Sequence, residues 1–282
     1  KNKVDKFAGS FEDVEQSNQD IEVFEALEAL GFDRPEYAHL PLIMSPRGGK
    51  LSKRDPEVIP AIEYRDHGIL QGALINFLAY IGWNPGDDTE VMSLSELVEK
   101  FNLEKVQKGG GVFNIEKLYW LNKQYLNTLS DEEYLEYLAP KMEQIREMNG
   151  YSESVFLKVL PIIRERVETY RDIETMIQEQ DVAFYFSPLS FSSEELIWKS
   201  NTLEDAQKHL KHVAGIIEKY EGEWNPEAIK EAIFPYADQE GRGDVLWPLR
   251  FSLSGKKKSP DPFTLLSVLG KEESLIRINA VA

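Results

Sequence analysis

The chain has 282 residues, 42% apolar and 29% charged, which is the composition of a soluble globular protein long enough for two domains. It contains no cysteine, which excludes disulfides, thiolate metal sites and cysteine nucleophiles and favours a reducing compartment. Its longest apolar runs, such as ALINFLAYIGW, fall well short of the ~20 residues of a spanning helix, and its first residues lack the apolar core of a secretory signal. A soluble, cytoplasmic chain with no membrane partner is expected.

The formal net charge of −17 argues at first against a polyanionic partner, because phosphate binding draws on lysine and arginine. The charge is segregated, however. Residues 46–54 carry +4 with no acid and residues 250–258, RFSLSGKKK, carry another +4, leaving −25 on the rest. Local patches steer ligands more than totals do.

In chain order, SNQDIEVFEALEALGF repeats apolar residues at Ile21, Phe24, Leu27 and Leu30 before Gly31, which predicts an amphipathic helix with a glycine stop. The apolar run Leu40 to Met44 followed by SPRGG predicts a strand entering a loop. Residues 69–81 predict a strongly apolar helix. SLSE from Ser93 and SDEE from Ser130 fit the capping box, in which serine and glutamate three apart satisfy free amides at a helix start. Beyond residue 140 the pattern is helix after helix, broken at EMNGYS, YFSPLS, YEGEWNP and SGKKKSPDP. The fold class expected is mainly α, with an all-helical C-terminal half.

Chemistry concentrates in RGGKLSKRD, residues 47–55. Lys50 and Lys53 sit three apart around Ser52, beside glycines that let backbone approach a ligand closely. The Walker pattern is absent, since Lys50 is followed by Leu51 rather than Ser or Thr. KLSKR instead resembles the second signature of class I aminoacyl-tRNA synthetases, in the form found in glutamyl-tRNA synthetases. Its setting is similar too: PEYAHLPLIMSPRGGKLSKRD, GALINFLAYIGWNPGDD, FNIEKLYWLNKQYL, IIRERVETYRDI and the final LWPLRFSLSGKKKSPDPFTLLSVLGKEESLIRI occur in the family's order, from about residue 17 to the end. The family's first signature, a HIGH-like tetrapeptide after the first strand of a nucleotide-binding fold, is not found, and residues 1–16 depart from the family. The resemblance therefore implies a C-terminal portion lacking the N-terminal nucleotide-binding half.

It further implies a remnant of the catalytic region over 1–60, a stem-contact region over 61–130 and an anticodon-binding helical domain over 131–282, with a possible subdivision near 187. Lys53, assisted by Lys50, would stabilise the charge that builds up when glutamate attacks the α-phosphate of ATP, Ser52 would hold the loop, and Arg54 and Arg47 are left to meet either ATP or the acceptor end of tRNA. ATP with Mg, glutamate, tRNA(Glu) and, as a second candidate, tRNA(Gln) are the implied substrates, with no permanent cofactor or metal, and the enzyme is implied to be a monomer. A non-catalytic RNA-binding or regulatory paralogue is the alternative, which retention of KLSKR disfavours.

RNA readers hold phosphates for position and unpaired bases for sequence. For phosphates the candidates are Lys105 and Lys108, beside the glycines of KVQKGGGVFNIEKL, and Lys256, Lys257 and Lys258. For the anticodon the resemblance selects Arg166, with Arg164 as fallback, in RERVETYR, read as one helix carrying Arg171 a heptad beyond Arg164, with Glu165 and Glu168 as neighbouring acids. His209 and His212 lack a third metal ligand nearby and are read as a surface pair. Trp83, Trp120, Trp198 and Trp247 are read as core, and Trp224 as the exposed one.

Overall fold

Helical periodicity dominates the sequence, and helices dominate the computed structural model of the chain, which describes residues 25–33, 41–55, 58–107, 109–188, 190–199 and 201–282. Ile21, Phe24, Leu40 and Lys108 fall outside the described residues; residues 25–29 are helical and stop before Gly31. No described helix is long and apolar enough to cross a membrane. By contacts the chain forms two compact units, residues 1–134 with 168–170, and residues 135–167 with 171–282.

In the first unit, α1 (Ala61–Asp66) leads to α2 (Gln71–Tyr80), α3 (Leu94–Lys100) and α4 (Ile115–Thr128). Both predicted capping boxes form: Ser93 accepts from the Glu96 amide while Glu96 accepts from the Ser93 amide, and Ser130 and Glu133 exchange the same pair of bonds. The helix α2 is apolar nearly all round because both its sides are used. Phe77 joins Tyr64, Ile69, Phe113, Leu118 and Leu121 in one buried cluster, while Ile75 and Ala79 pack on a second made by Trp83, Met92 and Leu97. Asn122 is buried in this unit without an orphan. Its Oδ1 accepts from the Leu70 amide at 2.8 Å, and its Nδ2 donates to the carbonyls of Gly68 at 3.0 Å and Glu168 at 2.6 Å.

The expected strand entering the SPRGG loop does not form among the described residues. Met44 makes single bridges, antiparallel to Lys50 and parallel to Val112. Pro41 and Pro46 bracket this segment, and a proline offers no amide to extend a ladder.

The second unit contains most of α5 (Asp131–Arg146), then α6 (Glu153–Arg166), most of α7 (Tyr170–Gln178), α8 (Ala183–Phe186), α9 (Leu203–Lys219), α10 (Pro226–Glu240), α11 (Arg242–Ser254), α12 (Pro262–Leu269) and α13 (Lys271–Asn279). The four predicted breaks mark helix ends, although Tyr185 and Phe186 of YFSPLS still belong to α8. RERVETYR, however, is not one helix: α6 ends at Arg166, and Val167 is extended (φ −90°, ψ 127°). The Glu168 carbonyl is taken by Asn122 rather than by a helical amide, which explains the interruption. The helix α11 sits at the centre, packed on α9, α10, α12 and α13. Its buried neighbour Arg277 donates through one guanidinium nitrogen to the carbonyls of Phe184 at 2.6 Å and Leu253 at 2.7 Å, tying the end of α8 to the end of α11.

Candidate functional site

The KLSKR loop belongs to the first unit and is built by short hydrogen bonds. The Ser45 amide donates to Gly49 O at 3.0 Å, the Gly48 amide to Ser45 O at 2.9 Å, and the Leu51 amide back to Ile43 O at 2.8 Å. This closed turn needs backbone in the left-handed region, which Gly48 (φ 92°) and Gly49 (φ 77°) supply. Leu51 is the loop's anchor, packed against the cluster of Tyr64, Ile69 and Phe77. Beyond it the Asp55 carboxylate accepts from the Ser52 amide at 2.7 Å and from the hydroxyl of buried Ser45 at 3.5 Å, while Ser52 Oγ accepts from the Arg54 amide at 3.2 Å. The turn that carries Lys53 and Arg54 is thus braced through backbone and serine. Lys50, Lys53 and Arg54 stay exposed, and none forms an ion pair with a described residue.

Two of the three glycines before α4, Gly110 and Gly111, serve this loop by close packing. Gly111 O accepts from the Met44 amide at 2.9 Å, and a Cβ on Gly111 would stand 2.8 Å from Gly82 N and 2.9 Å from the Ile81 carbonyl carbon. A Cβ on Gly110 would meet the Leu42 carbonyl oxygen at 2.6 Å. Lys105 donates its ammonium to the Pro85 carbonyl, so its charge is engaged in holding the 82–88 turn.

The second unit brings together what the sequence separates. A cleft of about 1090 Å³ is lined by Ile162, Glu165 and Arg166 of α6, Glu179 and Asp181, Arg250 of α11, the loop from Lys256 to Asp261, and Thr264. Arg166 and all three lysines of the 256–258 patch are therefore in one site; Arg164 is not among the lining residues. At its centre lies buried Asp181. One of its oxygens accepts from the Arg166 guanidinium at 2.5 Å, and the other accepts from the Lys256 ammonium, which also donates to the Glu179 carbonyl. Burial pushes the Asp181 carboxyl upward, but the hydrogen bonds and charges of Lys256 and Arg166 outweigh it and hold the group below the usual carboxylate range. Next to these groups, Tyr185 is buried with its hydroxyl unpartnered, and desolvation raises its pKa strongly.

The other cations are treated differently. Lys257 pairs with Glu195 at 3.0 Å on the surface, and Lys258 is exposed with no ion pair to a described residue. Arg250 lies 4.9 Å from the Trp247 ring centre and donates to the Lys257 carbonyl at 2.9 Å, which steadies the loop.

The other candidates resolve simply. Of the expected surface pair only His212 is exposed, stacked on the Tyr236 ring at 3.8 Å; His209 is buried instead, on the inner face of α9, with Nδ1 2.9 Å from the Tyr236 hydroxyl. Trp83 is core, and Trp198 and Trp247 pack together at 5.0 Å. Trp120 departs from expectation: it is 37% exposed, with the Lys117 ammonium 3.8 Å from its ring centre. Trp224 is only half-exposed, because its indole donates to the Leu266 carbonyl at 2.9 Å.

Two families of sequence match in series. The model of the catalytic domain of class I tRNA synthetases for glutamate and glutamine (E and Q) matches residues 12–120, and that of an anticodon binding domain matches residues 132–282. The chain belongs to the class I glutamyl-tRNA synthetase family. A glutamate–tRNA ligase from Chloroherpeton thalassium is 36% identical over 263 residues, covering 88% of this chain and 50% of the relative; one from Flavobacterium johnsoniae is 34% identical over 269 residues, covering 89% and 51%. The crystal structure of a glutamate tRNA ligase from Elizabethkingia meningosepticum in complex with its amino acid superposes with a TM-score of 0.70 at 33% identity, covering 91% of this chain and 53% of that one. This synthetase chain thus spans about half the length of the curated relatives it matches. Sequence reasoning misses two of its residues. Asp55 carries a signal, since Ser52 and Asp55 repeat the serine-to-acid spacing of the capping boxes without a helix following. Asp181 carries none, because its partners come from distant segments; the local acids Glu165 and Glu168 are not the ones that pair with Arg166.

Proposed function

We propose that the chain serves in glutamate–tRNA ligation as the part that carries the KLSKR loop and binds tRNA. The observation that carries this reading is the meeting of Arg166 and the Lys256–Lys258 loop in one cleft of the second unit. A phosphate-binding face and a base-reading arginine must sit together if one strand of RNA is to meet both. Residues 61–130 would contact the tRNA stem and 131–282 the anticodon.

At the loop, Lys53 and Lys50 offer ammonium groups with no ion pair to a described residue on a braced turn, which suits stabilisation of charge on a triphosphate delivered with Mg as the ATP substrate. Ser52 holds the turn through its hydroxyl, and Arg54 and Arg47 extend the positive face. Neither Lys105, whose ammonium is engaged, nor Lys256, whose charge is shared with Asp181, is suited to a bare phosphate contact; Lys258 is. The working enzyme is read as a cytoplasmic monomer.

At the cleft, Arg166 closes α6, and the negative end of a helix dipole together with Asp181 makes its surroundings poor for a phosphate and better for a base edge. Glutamate and glutamine tRNAs differ at the third anticodon nucleotide, C against G. A guanidinium offers only donors, which match the O2 and N3 acceptors of an unpaired cytosine and oppose the N1–H and N2–H₂ donors of guanine. The test is to titrate the chain and Arg166→Gln with two tRNAs that differ only at that nucleotide. Glutamine can present an acceptor, so the gap is expected to narrow by about 1–3 kcal/mol. Absence of salt-sensitive binding to either tRNA would refute the reading.

A further inference from the structure

We propose that Asp181 is the positioning residue of the cleft, holding Arg166 aimed at a base and keeping Lys256 from acting as a phosphate-binding cation. The inference rests on the RNA-reading role of the cleft. It deepens that role by assigning to an acid, which by itself repels RNA, a part in recognition.

Three observations carry it. Asp181 is only 7% exposed and gives one oxygen to each cation, so the departure of either leaves a buried carboxylate with one ion pair in place of two. The side-chain exposures are unequal, 43% for Arg166 and 19% for Lys256, so the arginine faces the cleft while the lysine is withdrawn into the wall. Third, the segments bearing Asp181 and Lys256 are pinned by another group, since Arg277 clamps the carbonyls of Phe184 and Leu253, a few residues beyond Asp181 and before Lys256. The acid is thus fixed independently of the arginine it holds. A solitary exposed arginine loses much rotamer freedom when it grips a base, whereas one already held by an ion pair has less to lose. Asp181 also leaves Arg166 and Lys256 together with a single net charge, which lowers unspecific attraction to phosphate relative to the directional contact.

Two variants and three readouts separate charge from position. In Asp181→Asn both cations are released: the log–log salt slope for tRNA binding is expected to steepen by ~0.7–0.9, and the preference for C over G at the third anticodon nucleotide to fall about tenfold. In Asp181→Glu the charge is kept but the guanidinium is displaced by a methylene, so the slope stays and the preference falls. This second variant decides the matter if the first does not fold. Without RNA, the rotation of the Arg166 guanidinium about its Nε–Cζ bond, followed by NMR and assigned by its loss in Arg166→Gln, is expected to be slow in the wild type and fast in Asp181→Asn. A purely structural role would leave the salt slope unchanged or make it shallower. The proposal is overturned if folded Asp181→Asn keeps the wild-type slope and rotation rate, or if Asp181→Glu keeps the full base preference. A wild type that binds both tRNAs equally would remove base reading from Arg166, while slope and rotation would still report whether Asp181 holds it.

Discussion

Replacing Gly111 by alanine is expected to loosen the KLSKR loop from a distance. The new Cβ would stand 2.8 Å from Gly82 N and 2.9 Å from both the carbonyl carbon and Cγ2 of Ile81. Two of these three atoms belong to backbone at the end of α2, so the collision cannot be relieved by a rotamer change. Overpacking of this kind costs about 1–3 kcal/mol. For a unit of this size that is a fall of about 3–9 °C in its melting midpoint. Because Gly111 O accepts from the Met44 amide, and Met44 bridges to Lys50, the displacement passes into the loop. Hydrogen exchange at the Met44 and Leu51 amides is therefore expected to quicken in the variant. Gly109→Ala is the control, since nothing lies within 4 Å of its Cβ position. Surface changes of that kind fall within about 0.5 kcal/mol. If the glycines instead grip a phosphate, the two variants will weaken tRNA binding alike with no difference in stability. Equal melting midpoints for Gly111→Ala and Gly109→Ala would refute the packing argument.

Two other outcomes follow from how charge is held in the second unit. Lys258→Met is expected to flatten the salt slope of tRNA binding by ~0.7–0.9 at unchanged stability, whereas Lys256→Met is expected to lower the melting midpoint because it leaves buried Asp181 with one partner, as binding and thermal scans of both variants will show. The folded pKa of Asp181 lies below its ordinary 3.8, so the folded state takes up a proton less readily than the unfolded one. Its stabilisation is complete above about pH 4 and is lost as the pH falls through the lower folded value, with Glu165, Glu179 and Asp261 lining the same cleft. Melting curves taken downward from pH 5 will therefore drop more in the wild type than in Asp181→Asn, and parallel curves would contradict the assignment.

The helices were legible where amphipathic period and caps agree, as at Ser93 with Glu96 and Ser130 with Glu133. Four prolines, Pro140, Pro161, Pro235 and Pro248, lie inside helices, against local propensity. The break after Arg166 was hidden for the opposite reason. Nothing in RERVETYR is a breaker, and the helix stops where Asn122 takes the Glu168 carbonyl. Tertiary hydrogen bonds of this sort leave no trace in a window of sequence. The same holds for the cleft: the basic loop and the arginine are each visible as residues, but the acid between them becomes meaningful only when three segments meet.

The two positive patches of this acidic chain are kept in different electrostatic states, and the difference fits the chemistry proposed for each. In the loop, Asp55 spends its carboxylate on the Ser52 amide and the Ser45 hydroxyl, and the ammonium groups of Lys50 and Lys53 pair with no described acid. A triphosphate on which charge is growing is stabilised by full cations at fixed places, so an ion pair there would subtract from the effect. In the cleft, five cations stand among four carboxylates, and the most enclosed acid binds two of the cations directly. Full positive charge there would hold any RNA, matched or not, because phosphate attraction carries no sequence. Local compensation by Asp181 leaves the donor geometry of Arg166 intact while removing much of its long-range pull. On this reasoning, raising the net positive charge of the cleft by neutralising its acids will raise tRNA affinity and lower discrimination together, whereas neutralising Asp55 will loosen the loop without strengthening any contact.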